Sequence, residues 1–160
     1  MWVPEATLNA FYRNQFMTPT DKAIIVHTLR GLVGVENRAV YVARAAEVSS
    51  LPRAFALRRR IELTGAYHSK VARITSFVNL GGVPMLRTAN GFVAIFPIDF
   101  LPWTKNLAQM VNSANKDKRA FPGSAPIEVW ITGRASRKTA SNLKKASWRL
   151  VENAGPRLGG

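Results

Sequence analysis

Apolar residues recur at helical spacing through the first half of the chain and at strand-like spacing through most of the second. In PEATLNAFYRNQF, residues 4–16, Ala6, Leu8, Phe11 and Tyr12 make a loose apolar face, and Pro4 suits a first turn. TPTD at 18–21 is a sharper start. Thr18 can cap, Pro19 fits the first helical position, and Asp21 sits where a carboxylate completes a capping box. The helix that follows carries Ile25, Val26, Leu29, Leu32 and Val33, and Gly31 and Gly34 end it. A third helix is expected over 36–47 and a fourth, longer one over about 51–74. Ser50 would cap the fourth, Pro52 would lie in its first turn, and Gly65 is its weak point.

Near Val78 the period changes, and Gly81-Gly82 breaks the chain. Residues 83–98 read as a hairpin with Asn90-Gly91 as the turn, because a type I′ turn needs positive φ at both central residues. A helix over about 103–115, a Pro/Gly-punctuated loop at 116–126, the strand IEVWIT, a short helix over 136–146 and the strand WRLVE follow. If the last two strands are parallel, their crossover should be right-handed. AGPRLGG, 154–160, reads as a disordered tail. The expected fold class is α+β. An N-terminal helical half of about four helices, residues 1–78, packs with a small ββαβαβ sheet layer, residues 79–153. No linker near 76–82 is long enough to separate them, so 1–160 is read as a single domain.

Charge changes the picture. The chain carries 23 Lys and Arg against 9 Asp and Glu, a net of +14, and the excess grows along it: +1 over residues 1–50, +5 over 51–100 and +8 over 101–160. A one-sided field of this kind concentrates anions and speeds their association. Absence of cysteine excludes disulfides, thiolate metal sites and a cysteine nucleophile. No signal peptide is visible in residues 1–15, which favours a cytoplasmic protein. The longest apolar run, FVAIFPIDFLPW at 92–103, is too short and too interrupted to span a bilayer.

The most biased stretch is RASRKTASNLKK, 134–145. With Ser136 as N-cap, free backbone N–H groups at 137–139 would face the same region as Arg134, Arg137 and Lys138, an arrangement suited to phosphate or carboxylate. Ser136 and Thr139 could add hydroxyls, and Lys144, Lys145 and Arg149 extend the charge. Arg58 and Arg59, in ALRRRIEL, form a second candidate patch; three successive arginines sweep about 200° of a helix, so one should point inward, and Glu62 can pair with Arg58 at i,i+4. The loop KDKR, 116–119, matters only if the fold brings it beside 134–138. The expected partner is nucleic acid or another polyanion, held by non-specific phosphate contacts. The competing reading is a structural or protein-interaction module in which the FVAIFPIDFLPW segment holds a partner.

Catalytic signatures are missing. There is no HExxH, no metal-ligand spacing, no nucleophile elbow and no P-loop. His27 and His68 are the only histidines. Asp99 is the one acid in strongly apolar company, and a cap or turn role suits it. No cofactor or metal is expected, and catalysis has no candidate residue.

Overall fold

The structure is a computed structural model that describes residues 1–123 and 125–159. Four helices come first: α1 (Glu5–Arg13), α2 (Pro19–Gly31), α3 (Ala39–Ala46) and α4 (Leu51–Lys70). Their starts follow the local chemistry. Thr18 Oγ1 accepts from Asp21 N–H while the Asp21 carboxylate accepts from Thr18 N–H, closing the capping box of α2. Ser50 Oγ accepts from Arg53 N–H at the start of α4.

The chain then alternates strands and helices: β1 (Ile74–Leu80), β2 (Val83–Thr88), β3 (Gly91–Phe96), β4 (Phe100–Leu101), α5 (Lys105–Lys118), β5 (Ile127–Ile131), β6 (Arg134–Ala135), α6 (Arg137–Lys145) and β7 (Trp148–Val151). Five strands form one mixed sheet in the order β1-β2-β3-β5-β7, antiparallel through β3 and parallel from β3 to β5 to β7. The short β4 and β6 pair in parallel beside it. The fold is α+β.

Alternation along the strands gives the sheet two apolar faces. Phe77, Leu86, Val93, Ile95 and Trp130 pack with Phe11, Ile25, Leu29, Tyr41, Ile61, Leu63 and Tyr67 under α1–α4. Leu80, Met85, Phe92, Ala94, Ile127, Val129, Ile131 and Trp148 pack with Val111 and Ala114 of α5 and Leu143 of α6 on the opposite face. The sheet is therefore sandwiched, and the segment FVAIFPIDFLPW supplies its middle. Residues 92–95 are buried, and Phe100 is the large apolar side chain of the run that is exposed.

Four sequence expectations need correction. The fourth helix stops at Lys70, and residues 74–80 form an edge strand, β1, whose alternation is disguised by a register shift between Ile74 and Ser76. The turn with both central φ values positive is Gly81-Gly82, at +62° and +78°, joining β1 to β2. Asn90-Gly91 is not the second turn, because Thr88 pairs with Gly91 and the loop is Ala89-Asn90. Gly91 instead opens β3, where a Cβ would lie 2.5 Å from the Pro126 carbonyl oxygen. The segment expected to fray packs back: Pro156–Leu158 form a 3-10 turn, and Ala154 and Leu158 are buried in the core beneath α4.

Candidate nucleic-acid interface

Helices α5 and α6 each connect two parallel strands, so they run side by side in the same direction. Their C-terminal ends are tied together: Asn115 Nδ2 donates to the Ala146 carbonyl at 3.3 Å, and the buried Trp148 Nε1 donates to Asn115 Oδ1 at 2.8 Å. Their N-terminal ends are tied by the β4–β6 ladder, in which Gly133 N–H donates to the Ile98 carbonyl, Arg134 N–H to that of Asp99 and Ser136 N–H to that of Leu101. Gly133 makes this approach possible, since any Cβ there would lie 1.8 Å from the Asp99 carbonyl oxygen.

At the N-terminal end, Ser136 caps α6 as the sequence indicates, accepting from Thr139 N–H at 3.1 Å. Its hydroxyl is not free for a ligand. Thr139, fully buried, donates its own proton to the Leu101 carbonyl at 3.0 Å, so the 2.8 Å contact between the two hydroxyls takes the Ser136 proton. The groups that remain are the first N–H groups of α6, the exposed side chains of Arg134, Arg137 and Lys138, and one carboxylate, Glu152, which accepts from Ala135 N–H at 2.9 Å. Thr104 caps α5, accepting from Leu107 N–H, and Lys105 follows it, exposed. Asp99 does not cap α5; it is exposed in the β4 segment.

Neither α5 nor α6 has an acidic residue in its first turn, and both have a lysine or arginine there. Cations at a helix N-terminus are unfavourable by roughly 0.3–1 kcal/mol each at the surface. In α2 the same position carries Asp21. At the other end, Lys144 and Lys145 of α6 stand beside Lys116 and Arg119 at the end of α5, where positive charge suits the helix dipole. Lys118 is partly committed, its Nζ donating to the Ala125 carbonyl. The two helices and their flanks, 105–119 and 134–145, hold nine basic side chains and one acid. That acid, Asp117, accepts from Gly81 N–H at 2.8 Å. The loop KDKR thus belongs mostly to α5 and lies beside 144–146, at the end opposite Arg134 and Lys138.

The second candidate patch lies elsewhere. Arg58 and Arg59 belong to α4, which covers the other face of the sheet. Arg58 is held between Asp21, with Nε 2.8 Å from Oδ1, and Glu62, at 3.2 Å, and it stacks on Phe55. Arg59 is half-buried. Arg60 is the inward member of the trio, donating to the Pro84 carbonyl and lying over the Phe96 ring. Arg149 points to the α1–α4 side and pairs with Glu128. Lys105 is a residue that sequence reasoning passed over; its signal is the Thr104–Lys105 pair at a helix start.

His27, Glu62, His68 and Ser69 line one shallow pocket of about 370 Å3 between α2 and α4. Three of its groups are already engaged, Ser69 Oγ donating to the Ala66 carbonyl. Glu62 pairs with Arg58, and His68 Nδ1 accepts from Ile74 N–H at 3.0 Å. Burial, helped by the nearby Arg73, lowers the His68 pKa, in keeping with an unprotonated Nδ1. Among the described residues, no three His, Asp or Glu side chains are placed to hold a metal, and no helix is long and apolar enough to cross a membrane. Comparison with protein-family models, with curated proteins and with solved structures returned no match to this chain.

Proposed function

We propose that the α5–α6 layer binds a polyanion, nucleic acid, through non-specific phosphate contacts. The observation that carries this reading is the accumulation of nine basic side chains on α5, α6 and their flanks, against two acids, Asp117 and Glu152, that each accept from a backbone N–H. Helix α6 spans nine residues, so its basic ends stand roughly 13 Å apart. Several phosphates of one strand lie within that reach. Arg134, Arg137, Lys138 and Lys105 would form one group of contacts, and Lys144, Lys145, Lys116 and Arg119 the other. The unfavourable cations at both helix starts support the reading, because a bound phosphate would offset their cost and accept from the first N–H groups of α6. Arg58 is already neutralised by two carboxylates and would contribute little.

The test is binding of a labelled random-sequence duplex and a single strand between roughly 50 and 300 mM salt, with Arg134, Arg137 and Lys138 changed together to Glu. The wild type should bind with a steep salt slope. Removing three duplex contacts should lower that slope by about 2.7, at about 0.9 per phosphate neutralised. Absence of binding at low salt would remove the proposal.

A second reading, a protein-interaction module, draws on one observation. Met1, Trp2 and Tyr12 are exposed, Trp2 to 80%, and they line a groove over α1 with Leu8 and Val26. That surface is distinct from the FVAIFPIDFLPW run, most of which is core.

A further inference from the structure

On the α1–α4 side of the sheet, at the amino-terminal ends of β3 and β5, lies a pocket of about 210 Å3. Val71, Ala72, Val93 and Trp130 give it apolar walls, and Tyr67, Glu128 and Arg157 bring polar groups to it. Tyr67 is only 4% exposed, and its hydroxyl, which makes no hydrogen bond to the described residues, is not sealed from solvent and opens into the pocket. Water can pair with it there, so the hydroxyl is a donor that an entering ligand can take over.

The other two groups are pre-positioned. Glu128 accepts from Trp130 Nε1 at 3.0 Å and pairs with Arg149 at 3.3 Å, one partner on each carboxylate oxygen, so each oxygen keeps acceptor capacity. The Arg157 guanidinium lies 4.4 Å from the Trp130 ring centroid, while the residue stays exposed. It therefore presents a flat cationic surface beside the pocket. Tyr67 meets Trp130 edge-on, which fixes both rings. Burial first, and Glu128 second, raise the Tyr67 pKa, so the phenol remains a neutral donor at physiological pH.

The volume is below the roughly 300–1,000 Å3 of drug-sized sites, which limits the occupant to about one ring system. A flat stacking surface, a donor hydroxyl and a carboxylate with spare lone pairs suit a planar ring whose edge carries both N–H donors and acceptors. We propose that this pocket holds one unstacked nucleobase, with Arg157 against its face and with Tyr67 and Glu128 reading its polar edge. Guanidinium stacking and hydrogen bonding to an exposed base edge are the usual means of holding an unpaired base. Lys118, which reaches the Ala125 carbonyl next to Pro126 in the pocket wall, sets the basic end of α5 beside this region. The inference stands apart from phosphate binding by α5 and α6, because a free nucleotide carries the same base as a single strand.

The test follows the Trp130 indole N–H by NMR during titration with each of the four nucleoside monophosphates, with a short single strand, and with an abasic strand of equal length. At least one nucleotide, at roughly millimolar concentration, should shift that signal. Tyr67→Phe keeps the ring and the packing and removes only the hydroxyl; it should weaken binding by about tenfold. Preference for the base-containing strand over the abasic one identifies a strand as the source; response to monophosphates alone identifies the free nucleotide. Changing Arg134, Arg137 and Lys138 to Glu should leave nucleotide binding unaltered, which separates failure here from failure of the phosphate reading. No Trp130 response in the wild type to any base-containing probe, or equal binding by Tyr67→Phe, would overturn the proposal.

Discussion

Replacing Gly133 with alanine tests how the basic layer is assembled. The new Cβ would lie 1.8 Å from the Asp99 carbonyl oxygen, 2.3 Å from its carbon and 2.5 Å from its Cα, where contacts under 3.0 Å are essentially never found. All three atoms are backbone, so no side chain can rotate away. Relief requires β4 and β6 to separate by about an ångström. The Gly133 N–H bond to Ile98 is 2.8 Å long and the Arg134 N–H bond to Asp99 is 2.9 Å; both would be lost, and the Ser136 N–H bond to Leu101 would weaken. At about 1 kcal/mol net per bond, the loss should be about 2–3 kcal/mol. Urea unfolding measures it as a lowered midpoint with unchanged slope. Gly31→Ala is the control. It has open space around the Cβ position and no positive φ, and it should change stability by less than about 1 kcal/mol. Equal midpoints for the two variants would refute the reasoning and show that the β4–β6 contact is not needed to set the start of α6.

Two further outcomes are expected. A Cβ on Gly65 would meet the Thr28 methyl at 2.8 Å, so Gly65→Ala should stabilise the protein more in a Thr28→Ser background than in the wild type; a double-mutant cycle should give a coupling of about 0.5 kcal/mol or more. His68 has a folded pKa below its unfolded value of 6.5, so its contribution to stability is present above that pH and falls as pH drops through the folded pKa. NMR titration should place the His68 midpoint below 6.5 with the Ile74 amide shifting in parallel; a midpoint at or above 6.5 would contradict the bond from Ile74 N–H to Nδ1.

Local chemistry was sufficient for the elements with their own signals. The Thr18 capping box, the Ser50 and Ser136 caps and the prolines in the first turns of α2 and α4 fix helix starts through contacts within three or four residues. The charge gradient was also readable, since it is composition. Three things were decided by tertiary structure. Residues 74–80 become a strand because β2 and the Glu36 segment pair with them, and the bulge near Ile74 hides their alternation. Gly91 serves a close approach to Pro126 and not a type I′ turn, a demand set by a strand distant in sequence.

The third is which charges act together. Arg58 looks as free in sequence as Arg137, yet Asp21, 37 positions away, holds it. Lys116 and Lys144 look unrelated, yet Asn115 and Ala146 join their helix ends. The pocket of Tyr67, Glu128 and Arg157 is drawn from three separate stretches of chain and has no linear pattern at all. Caps and turns are short-range interactions and are written locally. A surface or a pocket exists only once the sheet has set the distances between segments that the sequence keeps apart.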